Sequence, residues 1–144
     1  MASVAADFSA PDNMPQVLRD TFAPGDQVGR ETMVLLFGNG NEITHCLKPN
    51  QFGDETSVEM SEQGELGISH WQTSRNNVEW LMGWAHSHHH LTRVPSVHDC
   101  KMHYSLQKQA FKTTMLIMNK EGLSAYRLTT EAMALLEPTQ GKVP

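Results

Sequence analysis

The chain has 144 residues, the size of one domain with a core of its own. Lys and Arg number 11 against 16 Asp and Glu, and the resulting charge of −5 argues against a protein that grips a phosphate backbone. Two cysteines, Cys46 and Cys100, make no disulfide framework and point to a reducing compartment, no apolar run approaches the ~18 residues of a membrane span, and the first thirteen residues lack the basic and apolar regions of a secretory leader.

These features lead us to expect an intracellular protein, cytoplasmic or nuclear, that binds neither membrane nor nucleic acid. Hydrophobic residues make up 39%, low enough to expect polar loops and loose ends. Residues 1–13 are small, polar and proline-containing and read as disordered. Residues 14–22 fit one short helix, and 23–29, with Pro24 and Gly25, a loop. Residues 31–38 are apolar and partly β-branched; the turn signal Gly38-Asn39-Gly40-Asn41 then returns the chain as a second strand over 42–48. Residues 49–57 read as loop. A helix fits somewhere in 62–77, weakened by Gly64 and Gly67. Residues 78–87 form a short apolar run that reads as a buried strand, and 88–95 as a loop. A helix over 96–111 starts at Ser96, with Val97, Cys100, Met102 or His103, Leu106 and Ala110 on one face. Residues 112–119 read as a second buried strand, 119–122 as a turn, and 123–130 as its hairpin partner. An apolar patch, Met133 to Leu136, precedes a polar tail over 137–144. Strands with interspersed helices make an α/β or α+β layered fold.

Five of the eight histidines, His86, His88, His89, His90 and His98, fall within thirteen residues. At the end of a buried strand, His86 and His88 point to the same side. Two imidazoles so placed can hold one Zn²⁺ at ~2.0–2.1 Å, and Asp99, in the first turn of the next helix, can supply a third ligand if the loop folds back. Each piece also has a plain structural explanation. A His-x-His pair on a strand is more often no metal site. Ser96 and Asp99 alone read as a helix capping box. The two readings are compatible, because a capped helix start is rigid and holds a ligand well. Trp84, Met82, Met102, Met115 and Met118 read as core, and so does Cys100, which diverges from Asp99 by about 100° around the helix.

The stretch GWAHSHHHLTRVPSVHDCKMH resembles the JAMM/MPN+ zinc metalloprotease signature, in which His-(Ser/Thr)-His-Pro is followed at fixed spacing by Ser-x-x-Asp. His86, His88, Ser96 and Asp99 match it position for position. The preceding Gly83-Trp84, the following His103-Tyr104-Ser105-x-Gln107, and Tyr126-Arg127-Leu128-Thr129 are most similar to the AMSH-like branch. Gly29-Arg30-Glu31-Thr32 resembles the context of that branch's upstream glutamate, and Ile43-Thr44-His45 to Pro49 its next strand. The resemblance spans about residues 28–136 and is dense over 83–107. Three features depart from it. His89 replaces the proline, which loosens the loop and offers a spare imidazole. Met33-Val34 stands where AMSH-like proteins have Cys-Gly. The His and Cys ligands of that branch's second, structural zinc are absent, since nothing after His103 is His or Cys.

The resemblance implies a single MPN/JAMM-like catalytic domain over 14–136, with a central mixed β-sheet flanked by helices and cytidine-deaminase-like layering. It implies one catalytic zinc on His86, His88 and Asp99, Glu31 as general base, and Ser96 stabilising the oxyanion. The implied substrate is the isopeptide bond after the Gly-Gly tail of ubiquitin or a ubiquitin-like protein, with a homodimer or an MPN-type subunit as partner. The competing readings are a prokaryotic or phage-type peptidase acting on a ubiquitin-like or sulfur-carrier precursor, and a non-catalytic MPN scaffold. A zinc deaminase is disfavoured because the chain has no Cys-x-x-Cys.

Overall fold

The computed structural model describes residues 2–5, 8–64, 80–89, 91–109 and 113–127. In chain order the elements are β1 (Ala2–Ala5), β2 (Phe8–Ala10), α1 (Met14–Gln27), β3 (Met33–Asn39), β4 (Glu42–Leu47), β5 (Gln51–Gly53), β6 (Val58–Met60), β7 (Trp80–His89), α2 (Val97–Gln109), β8 (Thr114–Asn119) and β9 (Leu123–Tyr126). Seven strands form one mixed sheet in the order β1-β2-β4-β3-β7-β8-β9, and β5 pairs with β6 in a separate hairpin. The sheet curls until β1 comes near β9. The central pair β3–β7 is antiparallel, while β7 and β8 run parallel, joined by a crossover through α2.

The central strands are apolar on both faces, as a sheet covered on both sides requires. Val34 and Leu36 of β3, Met82 and Ala85 of β7, and Leu116 and Met118 of β8 face α1, meeting its Met14, Leu18 and Phe22. Met33, Leu35 and Phe37, Trp84, and Met115 and Ile117 face the other way, toward Met102 and Leu106 of α2. The three helical residues from α1 recur every fourth position, which makes one buried stripe. The result is a helix–sheet–helix layering, the mixed α/β arrangement expected from the sequence.

Gly83 of β7 pairs with Thr114 of β8. Its φ of 151° disfavours any L side chain, and a Cβ there would stand 1.9 Å from the Thr114 carbonyl oxygen. Gly83→Ala is therefore expected to destabilise the protein by about 3 kcal/mol or more, by backbone strain and overpacking together. Denaturant titration of the two proteins checks this; equal midpoints would mean that the sheet tolerates the methyl group.

The fold differs from the sequence reading in several places. Residues 8–10 are not disordered: Phe8 and Ala10 are buried, and Ser9 pairs with Glu42 of β4. That pairing joins segments thirty residues apart and leaves no mark on local composition. β1 likewise pairs with β2. α1 runs on through Pro24 and Gly25 to Gln27, and its end is closed by Arg30 N donating to the Gly25 carbonyl at 2.9 Å. The segment 49–57 is not all loop: it holds β5 and the turn to β6, which Asp54 Oδ1 closes by accepting from Thr56 N and Ser57 N at 2.9 Å each. β7 extends to His89, through residues expected to be loop. On α2 it is Asp99 and His103 that are fully buried; Val97, expected on the inner face, is 70% exposed, and Cys100 is half-buried. Of the helix expected within 62–77, residues 62–64 are helical. Its remainder, His90, Ala110, and the patch and tail over 131–144 lie outside the described residues. No helix among the described residues is long and apolar enough to cross a membrane.

Candidate metal centre

The end of β7 and the start of α2 bring three expected ligands together. Strand alternation sends His86 and His88 to the α2 side of the sheet, where their Nε2 atoms lie 3.1 Å apart. Asp99 Oδ1 is 3.1 Å from His86 Nε2, and Asp99 Oδ2 is 3.0 Å from His88 Nε2. All three residues are buried, and among the described residues they are the one group of three or more His, Cys, Asp or Glu able to hold a metal ion.

Local structure fixes each of them. Ser96 and Asp99 make the reciprocal box expected at a helix start: Asp99 N donates to Ser96 Oγ at 3.1 Å, and Ser96 N donates to Asp99 Oδ2 at 2.9 Å. The helix cap and the candidate ligand are thus the same carboxylate. The His86 ring stacks on Trp84, with centroids 4.2 Å apart and planes 10° apart. Trp84 Nε1 in turn donates to His103 Nδ1 at 3.2 Å. Burial pushes His103 down to about 4, which keeps it a neutral acceptor. His88 Nδ1 donates to the Thr92 carbonyl at 2.7 Å.

The donor set fits a divalent ion. With Nδ1 committed to Thr92, a neutral His88 has only a lone pair at Nε2, and that lone pair faces Asp99 Oδ2. Two acceptors 3.0 Å apart repel unless a proton or a cation lies between them. Ligands 2.0–2.1 Å from a tetrahedral ion stand about 3.3 Å from one another; the two imidazoles meet that at 3.1 Å, and one donor atom from each of the three residues lies within 4.8 Å of the others. The electrostatics agree. Burial works against charge on Asp99, but its hydrogen bonds to His86 and His88 prevail and hold the carboxyl well below the usual range. Burial lowers His86 in spite of Asp99. For His88 burial acts downward too, but Asp99, the Thr92 carbonyl and Glu31 raise it on balance, so positive charge is favoured at this point.

Glu31 stands beside this group without belonging to it, with Oε1 3.8 Å from His88 Nε2. It was expected within a strand, but β3 begins at Met33 and Glu31 lies just before it. The β5–β6 hairpin holds it: Glu31 N donates to the Asp54 carbonyl at 2.7 Å, and Gly53 packs so close that a Cβ would stand 2.1 Å from the Glu31 carbonyl oxygen. The next residue is pinned to β7, Thr32 N donating to Ser87 Oγ at 2.9 Å and Ser87 N to the Thr32 carbonyl at 3.0 Å. The Glu31 carboxylate is buried and accepts no hydrogen bond among the described residues. Burial pushes it up to about 7, where a carboxylate exchanges protons readily near neutral pH. Glu31, His88 and Ser96 line one groove of about 440 Å³ with Thr56, Leu91, Thr92 and Val94.

His89 is not the spare imidazole that its sequence position offers. Its backbone takes a φ of 52°, and the buried ring lies against α1, with Nδ1 2.6 Å from Asp26 Oδ1 but off the angle of a hydrogen bond. His98 is exposed on α2. The sequence reading missed Thr92 as the partner of His88, Trp84 as the stacking support of His86, and the hairpin that holds Glu31. Only Trp84 left a signal, since it alternates with His86 on one strand face. No protein-family model matches the chain, and no curated protein matches it.

Proposed function

We propose that the chain is a zinc-dependent peptidase of the JAMM/MPN+ type, hydrolysing the isopeptide or peptide bond after the Gly-Gly tail of ubiquitin or a ubiquitin-like protein. The observation that carries this reading is the convergence of His86, His88 and Asp99 on one point, with the carboxylate of Glu31, which accepts no hydrogen bond among the described residues, 3.8 Å from the nearest of them. Two histidines and one carboxylate leave a coordination position open, as catalytic zinc sites do. A divalent ion here supplies Lewis acidity toward a water and toward the scissile carbonyl.

The other roles belong to the chain. Glu31 takes the proton of the attacking water at its carboxylate and delivers it to the leaving amine, so one group acts as base and then as acid. The Ser96 hydroxyl, at the groove wall, donates to the carbonyl oxygen as negative charge grows on it. A glycine tail has no side chains to clash in the groove between Leu91, Val94 and Thr56, and its backbone can bond along it. In this reading the helix–sheet–helix layering is that of an MPN domain.

The test is metal content with cleavage of a panel: all linkages of di-ubiquitin, and fusions behind the tails of ubiquitin-like and sulfur-carrier proteins. About one zinc per chain and cleavage after Gly-Gly, both abolished by a chelator, are expected. A zinc-loaded chain that leaves the whole panel intact would overturn the peptidase reading and favour a scaffold.

Ser96 separates cap from catalyst. Ser96→Ala is expected to cost ~1 kcal/mol of stability through the lost bond to Asp99 N. It should also lower kcat by ~10²-fold with KM nearly unchanged. Stability loss with full turnover would leave Ser96 as a helix cap alone.

A further inference from the structure

Beyond the ligands, a polar clamp ties the loop 91–95 to the β8–β9 turn. Arg93 Nε donates to Ser124 Oγ at 2.9 Å and Arg93 NH1 to Asn119 Oδ1 at 2.7 Å. The same Asn119 oxygen accepts from Glu121 N and Gly122 N, at 2.9 and 3.0 Å, and its Nδ2 donates to the Leu91 carbonyl at 3.0 Å. Tyr126 closes the arrangement, its hydroxyl donating to the Arg93 carbonyl. The guanidinium lies flat over Gly122, with Cζ 3.6 Å from where a Cβ would stand. The carbonyls of Leu91 and Arg93 are therefore both held from the far side of the loop, and the carbonyl between them is that of Thr92.

We infer that Arg93, Asn119 and Tyr126 are positioning residues for the metal centre: they hold the Thr92 carbonyl against His88 Nδ1, which keeps the proton on Nδ1 and leaves the Nε2 lone pair for the metal. Thr92 is itself exposed and its carbonyl has no sheet to hold it, so its aim at 2.7 Å must come from its neighbours. A neutral imidazole has one N–H; if it moved to Nε2, it would occupy the ligand position and donate to Asp99 Oδ2 at 3.0 Å, so the Thr92 carbonyl must be held firmly to keep the proton on Nδ1. A metal-bound histidine generally has its other nitrogen fixed by a carbonyl or carboxylate, and loss of that partner typically costs 10–100-fold in metal affinity. The inference rests on the metal reading of His86, His88 and Asp99, and it adds Arg93, five residues beyond His88, and Asn119 and Tyr126, 31 and 38 residues beyond it, as residues that set the quality of the site.

The test uses the whole chain and two variants. Arg93→Ala removes the bonds to Ser124 and Asn119. Tyr126→Phe removes one hydroxyl and no bulk, and serves if the first variant folds poorly. Zinc affinity by chelator competition is expected to fall by about 10-fold or more in each, while Thr44→Val, which removes a hydroxyl on β4 remote from the loop, keeps the wild-type value. The second readout is nitrogen NMR of the His88 ring in the metal-free chain at a pH where it is neutral. The wild type should show the Nδ1–H tautomer and the variants a mixture. A purely structural role would lower the melting temperature but leave both readouts unmoved. Wild-type zinc affinity together with an unchanged tautomer in both folded variants would overturn the clamp. A wild-type chain that takes up no zinc would overturn the metal reading instead, and the tautomer alone would then decide whether the clamp aims Thr92.

Discussion

In Glu31→Gln, hydrolysis is expected to fall by at least ~10²-fold while zinc uptake stays at the wild-type level. Three candidate ligands are already placed, and the Glu31 carboxylate stands 3.8 Å from the nearest of them, outside that group. Glutamine keeps the shape and cannot take a proton. The same variant makes an independent prediction about stability. In the metal-free chain burial raises the Glu31 carboxyl from 4.5 to about 7. A raised carboxyl binds its proton more tightly in the folded state. Its contribution is therefore fully present below pH 4.5 and lost as pH rises through 7, a span of about 3 kcal/mol. Glutamine carries no such dependence. Metal-free Glu31→Gln should thus match the wild type near pH 4 and exceed its stability by about 3 kcal/mol at pH 8. Denaturant titration at the two pH values, with turnover of the zinc-loaded proteins, checks both halves. Retained turnover in the zinc-loaded variant would place the base elsewhere.

Part of the site is legible in the sequence and part is not, because some of its residues are placed by local rules and others by distant pairings. His86 and His88 could be placed because strand alternation is a local rule, and Asp99 because a capping box is one too. Their convergence needed only the loop between them to fold back. The placement of Glu31 is a different matter. It depends on a hairpin whose strands are three residues each, on Gly53 packed against the Glu31 backbone, and on Thr32 paired with Ser87 fifty-five residues away. Hydrophobic periodicity cannot mark elements that short, and pairing over such distances is invisible to any local pattern. The same limit hid β2, and it hid the reach of Arg93 to Asn119 and Ser124. His89 failed for another reason. Its position beside His88 offered a spare imidazole near the ligands, but one residue in the left-handed region turned its ring toward α1 and Asp26.

Asp99→Asn should differ from Glu31→Gln in zinc affinity and behave oppositely to it in stability at neutral pH. An amide is not among the usual zinc ligands, so zinc affinity is expected to fall by more than ~100-fold, beyond the loss of a mere supporting partner. Without metal, the Asp99 carboxylate still links His86, His88 and Ser96 N inside the protein. Those bonds hold its carboxyl far below the usual range, so its contribution is present above the unfolded value and lost as pH falls through the folded one. Asparagine cannot compensate the positive charge that Asp99 favours on His88, and breaking a buried pair by removing one partner costs about 3 kcal/mol or more. The metal-free variant should therefore be less stable than the wild type at pH 7, with the gap narrowing in acid. Of two buried carboxylates that both face His88 Nε2, the proposed function has one support the fold and hold the ion while the other strains the fold and moves the proton. Chelator competition and denaturant titration on the same preparations decide it. An Asp99→Asn chain that keeps wild-type zinc affinity would move the ion off this site, and one as stable as the wild type at pH 7 would reduce the carboxylate to a replaceable helix cap.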